Sequence, residues 1–256
     1  MEYQPFDKNF GLANKTALIT GAGAGIGKAI AGLFYEKGAN LVLVDLDAGI
    51  ARVGAELGFA AARVAALAGD ITEASVRERV VATGLERFGA VDILVNNAGL
   101  SRLAPALELT EDQWDMTMNL NVRAAFFLAQ RVGARMVTRG GGKIINLASQ
   151  AGVVALDRHV AYCASKAAII SLTKVLALEW GPHNIQTNAI SPTVVLTEMG
   201  RKYWVGERGE EMKKKIPTRR FAYPEEIAAC ALFLASDAAG MINGENLMVD
   251  GGYTVQ

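Results

Sequence analysis

The residues with the clearest capacity for chemistry are a tyrosine and a lysine four positions apart, Tyr162 and Lys166. Side chains at positions i and i+4 share one face of a helix, so the phenol and the ammonium group point the same way. Tyrosine has an unperturbed pKa of about 10, and a nearby cation favours the phenolate. The pair could therefore exchange a proton with an alcohol or carbonyl oxygen, although Tyr-x-x-x-Lys alone also describes ordinary surface pairs.

A glycine-rich run, Thr20 to Gly27, follows the first predicted strand and opens the first predicted helix. Its spacing is G-x-x-x-G-x-G, not G-x-G-x-x-G, because an isoleucine stands at position 26. Glycines permit a tight strand-to-helix turn and let a pyrophosphate approach the bare amides of a helix N-terminus. This position in the chain favours a cofactor loop over a ligand-free turn. The predicted contacts are Gly21, Gly25, Ile26 and Gly27.

Asp45 ends the second predicted strand, near the offset of about 20 residues expected for an acid that binds the adenosine ribose. Its carboxylate can accept hydrogen bonds from the 2′- and 3′-hydroxyls and would repel a 2′-phosphate. No arginine or lysine stands within Leu43–Asp47, so we expect NAD in preference to NADP. Asp45 could instead cap the next helix, but Asp47 can serve that purpose equally well.

The segments that must position these groups alternate between short apolar runs and longer amphipathic ones. This alternation predicts an α/β fold: a single Rossmann-type, doubly wound parallel sheet with helices on both faces. Ligands of such sheets lie beyond the carboxyl ends of the strands. The predicted strands are 16–20, 40–45, 59–67 (the weakest), 91–95, 143–148, 185–190 and 246–250, and the predicted helices are 26–37, 47–57, 73–88, 110–138, 160–180 and 224–235.

The domain organisation predicted from this pattern is simple. Residues 1–14 form an N-terminal extension, and residues 15–256 form one oxidoreductase domain, which is a usual size for an undivided α/β fold. The stretch at about 193–218 is the longest piece without clear periodicity between strands. We interpret it as a variable substrate lid.

Over about residues 15–252 the chain resembles the short-chain dehydrogenase/reductase family. The motifs that carry the resemblance occur in the family's order and at its spacings: Thr20–Gly27, Asp70, Asn96-Asn97-Ala98-Gly99, Asn121, Ser149 and Tyr162-x-x-x-Lys166. The probability that all of these motifs agree with the family pattern by chance is very small. Ser149 could also suggest the nucleophile of a serine hydrolase, but the residues around it do not form the G-x-S-x-G motif, so we disfavour that alternative.

The resemblance implies the roles of the catalytic residues. Ser149 would hydrogen-bond the substrate oxygen, and Tyr162 would exchange a proton with it. Lys166 would bind the nicotinamide ribose and lower the tyrosine pKa. Asn121, chosen over Asn119 by its spacing from the neighbouring aromatic residues, would hold a water that links Lys166 to solvent.

It also implies further cofactor contacts. Asp70, with Ile71, would meet the adenine ring, although Asp70 could instead cap a turn. Residues after the fourth strand would border the cofactor, and residues after the sixth would contact the nicotinamide amide. These residues, with Tyr162 and Lys166, are Asn97, Ala98, Gly99, Pro192, Val195 and Thr197.

One departure from the family pattern is Thr193, which stands where glycine usually follows the proline. A Pro-Thr-Val-Val run also occurs in sugar- and polyol-active members. The expected activity is therefore NAD-dependent hydride exchange with a secondary alcohol or ketone, such as a polyol, sugar or small diol. The alternatives are a 3-oxoacyl reductase of fatty-acid synthesis, which usually takes NADP, and a non-catalytic NAD-sensing protein.

Composition indicates which partners, metals and cellular location to expect. Equal numbers of basic and acidic residues, 26 of each, argue against a nucleic-acid partner. The two cysteines and two histidines form neither a disulfide framework nor an ordinary zinc site, so no catalytic metal is expected. The chain shows no secretion signal and no run of about 18 uncharged apolar residues, which favours a cytoplasmic protein without a membrane partner.

The predicted helix at 160–180 is apolar nearly all round, since its charged residues are Lys166, Lys174 and Glu179. A sheet covers one side of such a helix, so we expect a second subunit to cover the other. The family resemblance implies a homotetramer.

The C-terminus gives a separate prediction. The carboxylate of Gln256 could meet a symmetry mate or a structural Mg²⁺. The alternative is that the terminus is frayed.

Overall fold

The structure, a computed structural model, describes residues 6–255, apart from the side chain of Met199. Within that range, strands and helices alternate along most of the chain. The strands are β1 (Thr16–Thr20), β2 (Asn40–Asp45), β3 (Val64–Ala68), β4 (Ile93–Asn96), β5 (Gly142–Leu147), β6 (Ile185–Pro192) and β7 (Asn246–Val249). The helices are α1 (Gly25–Glu36), α2 (Ile50–Glu56), α3 (Ala74–Phe88), α4 (Glu111–Met118), α5 (Ala125–Arg139), α6 (Val160–Trp180), α7 (Glu198–Tyr203), α8 (Gly206–Lys214) and α9 (Pro224–Ala235).

All seven strands run parallel in the order β3-β2-β1-β4-β5-β6-β7. The chain first builds outward from β1 to β3 and then returns to the other side of β1. The order therefore reverses between β1 and β4, which opens a crevice at the carboxyl ends of these two strands. The predicted fold class, a doubly wound parallel sheet, is confirmed.

Apolar side chains pack on both faces of the sheet, as expected for parallel strands buried on both sides. On one face, α1 and α9 contribute Ile30, Phe34 and Ile227 to the core. On the other face, α3 and α5 contribute Val80 and Leu128. Each large side chain removed from water in this way stabilises the fold by about 1.5–3 kcal/mol, so the two helical layers hold the sheet rigidly.

The predicted helix at 110–138 is interrupted. A capping box begins α4, with the Thr110 hydroxyl accepting from the Gln113 amide and the Gln113 carboxamide accepting from the Thr110 amide. A π-helical segment, Asn119–Ala124, then separates α4 from α5. Such segments are frequent at functional sites, and this one carries the predicted site residue Asn121.

Two other predicted boundaries differ from the structure. The weak strand prediction at 59–67 becomes a short 3-10 turn at Ala61–Arg63 followed by β3. The stretch at 193–218 contains α7 and α8, which its sequence periodicity did not indicate, because both helices are short and largely exposed.

Part of the predicted N-terminal extension packs against the fold. Leu12 is buried and its amide donates to the Lys37 carbonyl at 2.7 Å. The ring of Phe10 meets that of Phe233 edge to face at 5.9 Å. Leu12 thus belongs to the core, and Phe10 packs against it.

One helical stretch, Val160–His183, is long and apolar enough to cross a membrane by length and composition alone. It includes α6, which packs against β6 in the same layer as α5. Core helices of soluble proteins meet the same criteria, and α6 carries Tyr162 and Lys166. We therefore interpret it as a core helix with an apolar outer face.

Candidate active site

The glycine-rich loop forms a cradle between β1 and α1. Gly21 and Gly25 have positive φ angles of 64° and 54°, which L-residues with side chains rarely adopt. A Cβ atom on Gly27 would lie 2.2 Å from the carbonyl oxygen of Gly21, and one on Gly25 would lie 2.9 Å from Cγ2 of Thr197. Only glycine leaves the space that a pyrophosphate needs at this turn.

The start of α1 also suits an anion. No side chain caps the helix, because Ala24 occupies the N-cap position, and no acidic residue stands in the first turn. The amides of the first turn, including that of Ile26, carry the positive end of the helix dipole. Together, the glycine cradle and the uncapped helix N-terminus fit a phosphate-bearing dinucleotide.

Asp45 lies at the carboxyl end of β2 and faces the glycine loop. Its Oδ2 accepts from the Gly23 amide at 2.8 Å, and its Oδ1 accepts from the Asp47 amide at 3.0 Å. These bonds hold the carboxylate at the crevice while leaving further acceptor capacity. Leu46 beside it is 74% exposed, so the neighbouring position presents an apolar side chain and not a cation.

The Asn-Asn-Ala-Gly motif connects β4 to the glycine loop. Asn97 donates through Nδ2 to the carbonyls of Thr20 and Gly21, at 2.9 and 3.0 Å. The Thr20 hydroxyl accepts from the amides of Asn97 and Ala98, both at 3.0 Å. Gly99 lies beside Lys166, since a Cβ there would sit 3.6 Å from Lys166 Nζ. The motif thus fixes the cofactor side of the crevice to the catalytic side.

The loop after β3 is held by an arginine that the sequence prediction did not include. Asp70 accepts from the Thr72 amide at 2.8 Å, so its turn-forming role is real, and Ile71 beside it is buried. Arg77 on α3 is buried and donates through Nη1 to the Ile71 and Thr72 carbonyls at 2.6 and 2.7 Å. Arg77 follows the predicted adenine contact Ile71 by six residues, and no local pattern in the sequence marks it as buried.

Tyr162 and Lys166 lie on one face of α6, as their spacing predicts. The Lys166 ammonium lies 5.6 Å from the centre of the Tyr162 ring and donates to the Leu147 carbonyl at 2.6 Å. Lys166 is buried, and burial lowers its pKa to about 8. It therefore remains mostly protonated at neutral pH and loses its charge at mildly alkaline pH.

The Tyr162 phenol behaves differently from the expectation. Burial raises its pKa above the ordinary value, and a hydrogen bond with Ser149 opposes that shift. Lys166 is not among the groups that move this pKa. Desolvation of the phenolate is the larger of the two opposing effects, so the pKa of the phenol lies above its ordinary value and not below it, as the predicted role of Lys166 required.

Ser149 and Asn121 complete the set. Ser149 follows β5, is buried, and accepts from the Ala151 amide at 3.1 Å. Asn121 is buried and bonds to the amide and carbonyl of Leu100, both at 2.9 Å, and to the Ser165 hydroxyl at 3.0 Å. Both amide hydrogens of Asn121 and one acceptor position of its oxygen thus join the loop after β4 to α6, which leaves one acceptor position for the predicted water.

Residues after β6 close the other side of the crevice. Pro192 ends the strand, Val195 pairs with Ala222 in an isolated bridge, and Thr197 caps α7 through a 3.0 Å bond from the Gly200 amide. Thr193 has no left-handed backbone angle, so a threonine fits this loop without strain. Its buried hydroxyl has no hydrogen-bond partner among the residues described.

A cavity of about 750 Å³ adjoins this centre. Its walls come from the turn after Ser149, the segment before α6, the helices α7 and α8, and the last turn of the chain. The polar and aromatic lining includes Gln150, His159, Tyr203, Trp204, Arg208 and Tyr253. The volume lies within the roughly 300–1,000 Å³ typical of small-molecule sites.

The predicted C-terminal Mg²⁺ contact involves Gln256, which lies outside the described residues. Across residues 6–255, no group of three or more His, Cys, Asp or Glu side chains is arranged to hold a metal ion.

A dinucleotide cradle and a tyrosine–lysine–serine centre on one parallel sheet define a nucleotide-dependent oxidoreductase. A family model described as enoyl-(acyl carrier protein) reductase matches residues 21–254. The chain belongs to the short-chain dehydrogenase/reductase family.

Relatives and solved structures agree with this assignment. The chain is 55% identical over 256 residues to the NAD-dependent glycerol dehydrogenase of Listeria innocua serovar 6a, covering 100% of both chains. It is 52% identical to the D-threitol dehydrogenase of Mycolicibacterium smegmatis, over 98% of this chain and 96% of that protein. A gluconate 5-dehydrogenase from Burkholderia cenocepacia J2315, in complex with NADP and tartrate, has a TM-score of 0.89 and 35% identity, covering 96% of this chain and 98% of that one.

The shifted pKa of Tyr162 predicts the pH dependence of the reaction. Alcohol oxidation requires the phenolate, and a raised pKa keeps the phenol protonated at neutral pH. We therefore expect kcat/KM for oxidation to rise steadily from pH 6 to 9.5, while kcat/KM for carbonyl reduction stays level over the neutral range. Initial rates in both directions, with NADH affinity measured at each pH as the control, test this. A kcat/KM for oxidation that falls between pH 6 and 9 would contradict it.

Proposed function

We propose that the chain is an NAD-dependent dehydrogenase of small polyols, which interconverts a secondary hydroxyl group and a ketone. The observation that carries this proposal is the placement of Ser149, Tyr162 and Lys166 at one end of β5, beside a cavity lined with polar and aromatic side chains. The names of the most similar relatives, a glycerol and a D-threitol dehydrogenase, support a polyol substrate.

Proton transfer is the task of the residues on α6. In oxidation, the Tyr162 phenolate takes the hydroxyl proton of the substrate, and in reduction the phenol returns it. Ser149 shares the charge that develops on the substrate oxygen, as donors of an oxyanion site do. Lys166, buried on the same face of α6 and mostly protonated at neutral pH, would bind the ribose next to the nicotinamide.

The loops at the carboxyl ends of β1 to β4 and β6 would hold NAD, which supplies the hydride acceptor when bound. The glycine cradle and the uncapped N-terminus of α1 would bind its pyrophosphate. Asp45 would bind the adenosine ribose, Asp70 and Ile71 the adenine, and Asn97, Ala98 and Gly99 the middle of the cofactor. Pro192, Val195 and Thr197 would contact the nicotinamide end.

We propose that residues 193–218 form the substrate lid. This segment supplies Tyr203 of α7, Trp204 between the two helices, and Arg208 of α8 to the cavity. The Arg208 guanidinium lies 4.0 Å from the ring centre of Tyr203 and 5.0 Å from that of Trp204. This stack gives the lid a polar face toward the substrate.

A panel of substrates tests the assigned function. We expect NADH formation with glycerol, threitol and longer polyols, at rates well above those with simple secondary alcohols. Reduction of an acetoacetyl thioester with NADPH measures the alternative 3-oxoacyl reductase activity. Turnover of the thioester without turnover of any polyol would overturn the proposal.

We also propose that the chain works as a cytoplasmic homotetramer in which the outer faces of α5 and α6 meet a second subunit. Only 39% of the most apolar part of the α6 stretch is buried within one chain. On its outer face Leu178 is 80% exposed and Val175 is 46% exposed. A second copy related by a twofold axis is a common cover for such a surface.

Replacement of the proposed proton carrier should abolish most turnover. We expect Tyr162→Phe to lower kcat by about 10²–10⁴-fold while the NADH affinity and the melting temperature stay close to the wild-type values. Steady-state kinetics and fluorescence titration with NADH measure these effects. Tyr223→Phe, at a 45% exposed position outside the cavity, is the matched control, and near-native kcat in Tyr162→Phe would show that another group carries the proton.

Cofactor choice should depend on the end of β2. Asp45→Ala combined with Leu46→Arg removes the repulsion of a 2′-phosphate and adds a cation that can bind it. We expect the ratio of kcat/KM for NAD to that for NADP to fall by at least tenfold. Asp47→Ala is the control for general loss of charge. A wild-type enzyme that already prefers NADP would be incompatible with the assigned role of Asp45.

The proposed interface can be tested on α6. Ile170 packs inward, since a Cβ on Gly152 would lie 2.8 Å from its Cδ1, so the exposed Leu178 is the better position to change. Leu178→Asp should place a charge in the interface and reduce the mass measured by light scattering at micromolar concentration. Leu57→Asp, at the end of α2, should leave the mass unchanged. A wild-type monomer with full activity would rule the assembly out.

A further inference from the structure

The last turn of the chain, residues 249–254, touches both ends of the lid segment 193–218. At the beginning of the lid, the Thr193 amide donates to the Val249 carbonyl at 3.2 Å. At its end, the Thr218 amide donates to the Gly251 carbonyl at 3.2 Å. One short piece of backbone thus fastens the two points at which the lid leaves and rejoins the fold. We call residues 249–254 the C-terminal turn.

The fit between the C-terminal turn and the lid requires glycine. Gly251 has a φ of 62°, and a Cβ there would lie 2.2 Å from Oγ1 of Thr218 and 2.8 Å from Cγ2 of Ile216. Gly252 has a φ of 88°, and its Cβ would lie 3.0 Å from Cγ of Pro217. The backbone therefore lies directly against residues 216–218, with no space for side chains between them.

A buried carboxylate fixes the shape of the turn. Asp250 is 6% exposed. It accepts from the Gly252 amide at 2.9 Å, from the Thr254 amide at 2.9 Å and from the Thr254 hydroxyl at 2.6 Å. Three donors on one carboxylate hold residues 250–254 in one conformation, so the direction of the side chain between them, Tyr253, is also set.

Tyr253 forms a wall of the cavity beside the proposed catalytic centre. The same cavity is lined by Gln150, which follows Ser149 directly, and by Met212 and Glu211 of α8. Its lining thus runs from the residue next to Ser149, and from His159, whose ring centre lies 6.1 Å from that of Tyr162, to the C-terminal turn. At about 750 Å³ it is much larger than a three-carbon triol needs, and a longer chain would reach its far side.

We propose that the C-terminal turn is part of the substrate site: it clamps the lid, and Tyr253 contacts the distal hydroxyl-bearing carbons of polyols longer than glycerol. The ring offers an apolar face to C–H groups, and its hydroxyl can exchange hydrogen bonds with a substrate hydroxyl. This inference rests on the proposed polyol dehydrogenase function, which it extends to a preference for chain length.

Variants of Tyr253 test the contact with long substrates. We expect Tyr253→Ala to reduce kcat/KM for a six-carbon polyol about tenfold or more, with the value for glycerol changing less than twofold. Tyr253→Phe should give an intermediate loss. Val255→Ala, at an 84% exposed position of the same tail, is the control. Equal changes for both substrates, or none, would overturn the assignment of Tyr253.

A substrate-independent experiment tests the clamp. The lid contains several trypsin sites, among them Arg201, Arg208 and Lys213. We expect Gly251→Ala to accelerate cleavage within residues 201–215 at least fivefold and to raise KM for polyols. The control is Gly58→Ala, whose φ of 70° is similarly unfavourable for alanine but whose Cβ would meet no atom within 4 Å.

The outcomes separate this inference from the function on which it rests. NADH affinity is measured in both glycine variants, because Thr197 of the lid lies against Gly25 of the cofactor cradle; a fall in Gly251→Ala but not in Gly58→Ala would also show a loosened lid. Cleavage of the lid at the same rate in Gly251→Ala and Gly58→Ala would overturn the clamp while leaving the polyol activity of the wild type intact. A wild type without activity on any polyol would overturn the proposed function and the assignment of Tyr253, whatever the proteolysis shows.

Discussion

The structure depends on keeping one lysine ammonium group inside the protein. Lys166 is 5% exposed, and a buried charge is costly unless polar partners replace water. Its contact with the Leu147 carbonyl at 2.6 Å supplies one acceptor, and burial lowers its pKa to about 8. Because the acceptor belongs to β5 and the lysine to α6, the charge can be kept only while helix and sheet hold a fixed distance.

A set of buried amides maintains that distance. Asn96 of β4 donates to Asn146 of β5 at 2.9 Å, and Asn146 donates to the Thr173 hydroxyl of α6 at 2.9 Å. Asn121 ties the loop after β4 to Ser165, and Ser165 donates to the Tyr162 carbonyl at 2.8 Å. Polar groups in the interior stabilise a structure only when they are paired. These pairs therefore fix the register of α6, and with it the positions of phenol and ammonium.

The parts of this arrangement that follow from local pattern could be predicted from the sequence. Buried strands such as β1 and β2 are short apolar runs with clear ends, and the spacing of Tyr162 and Lys166 implies a shared helix face. The lid helices, the π-helical segment around Asn121 and the contact of Tyr253 with the cavity arise from tertiary packing, which no local pattern records. The raised pKa of Tyr162 could not be predicted from the sequence either, because burial in the folded chain causes it.

The fold separates the groups of the proposed chemistry from the groups that select a substrate. Ser149 lies just beyond the carboxyl end of β5, and Tyr162 and Lys166 lie on α6, where packed strands and helices surround them. The cavity beyond them is walled in part by α7, α8 and the C-terminal turn, which follow β6 and β7 in the chain, at one edge of the sheet. Changes in these outer elements can alter the size and polarity of the cavity without moving the amides that position Lys166. Because these two sets of groups are separate, substrate specificity can change while proton transfer stays the same. This separation agrees with the names of the chain's relatives, which refer to glycerol, threitol, xylulose and gluconate.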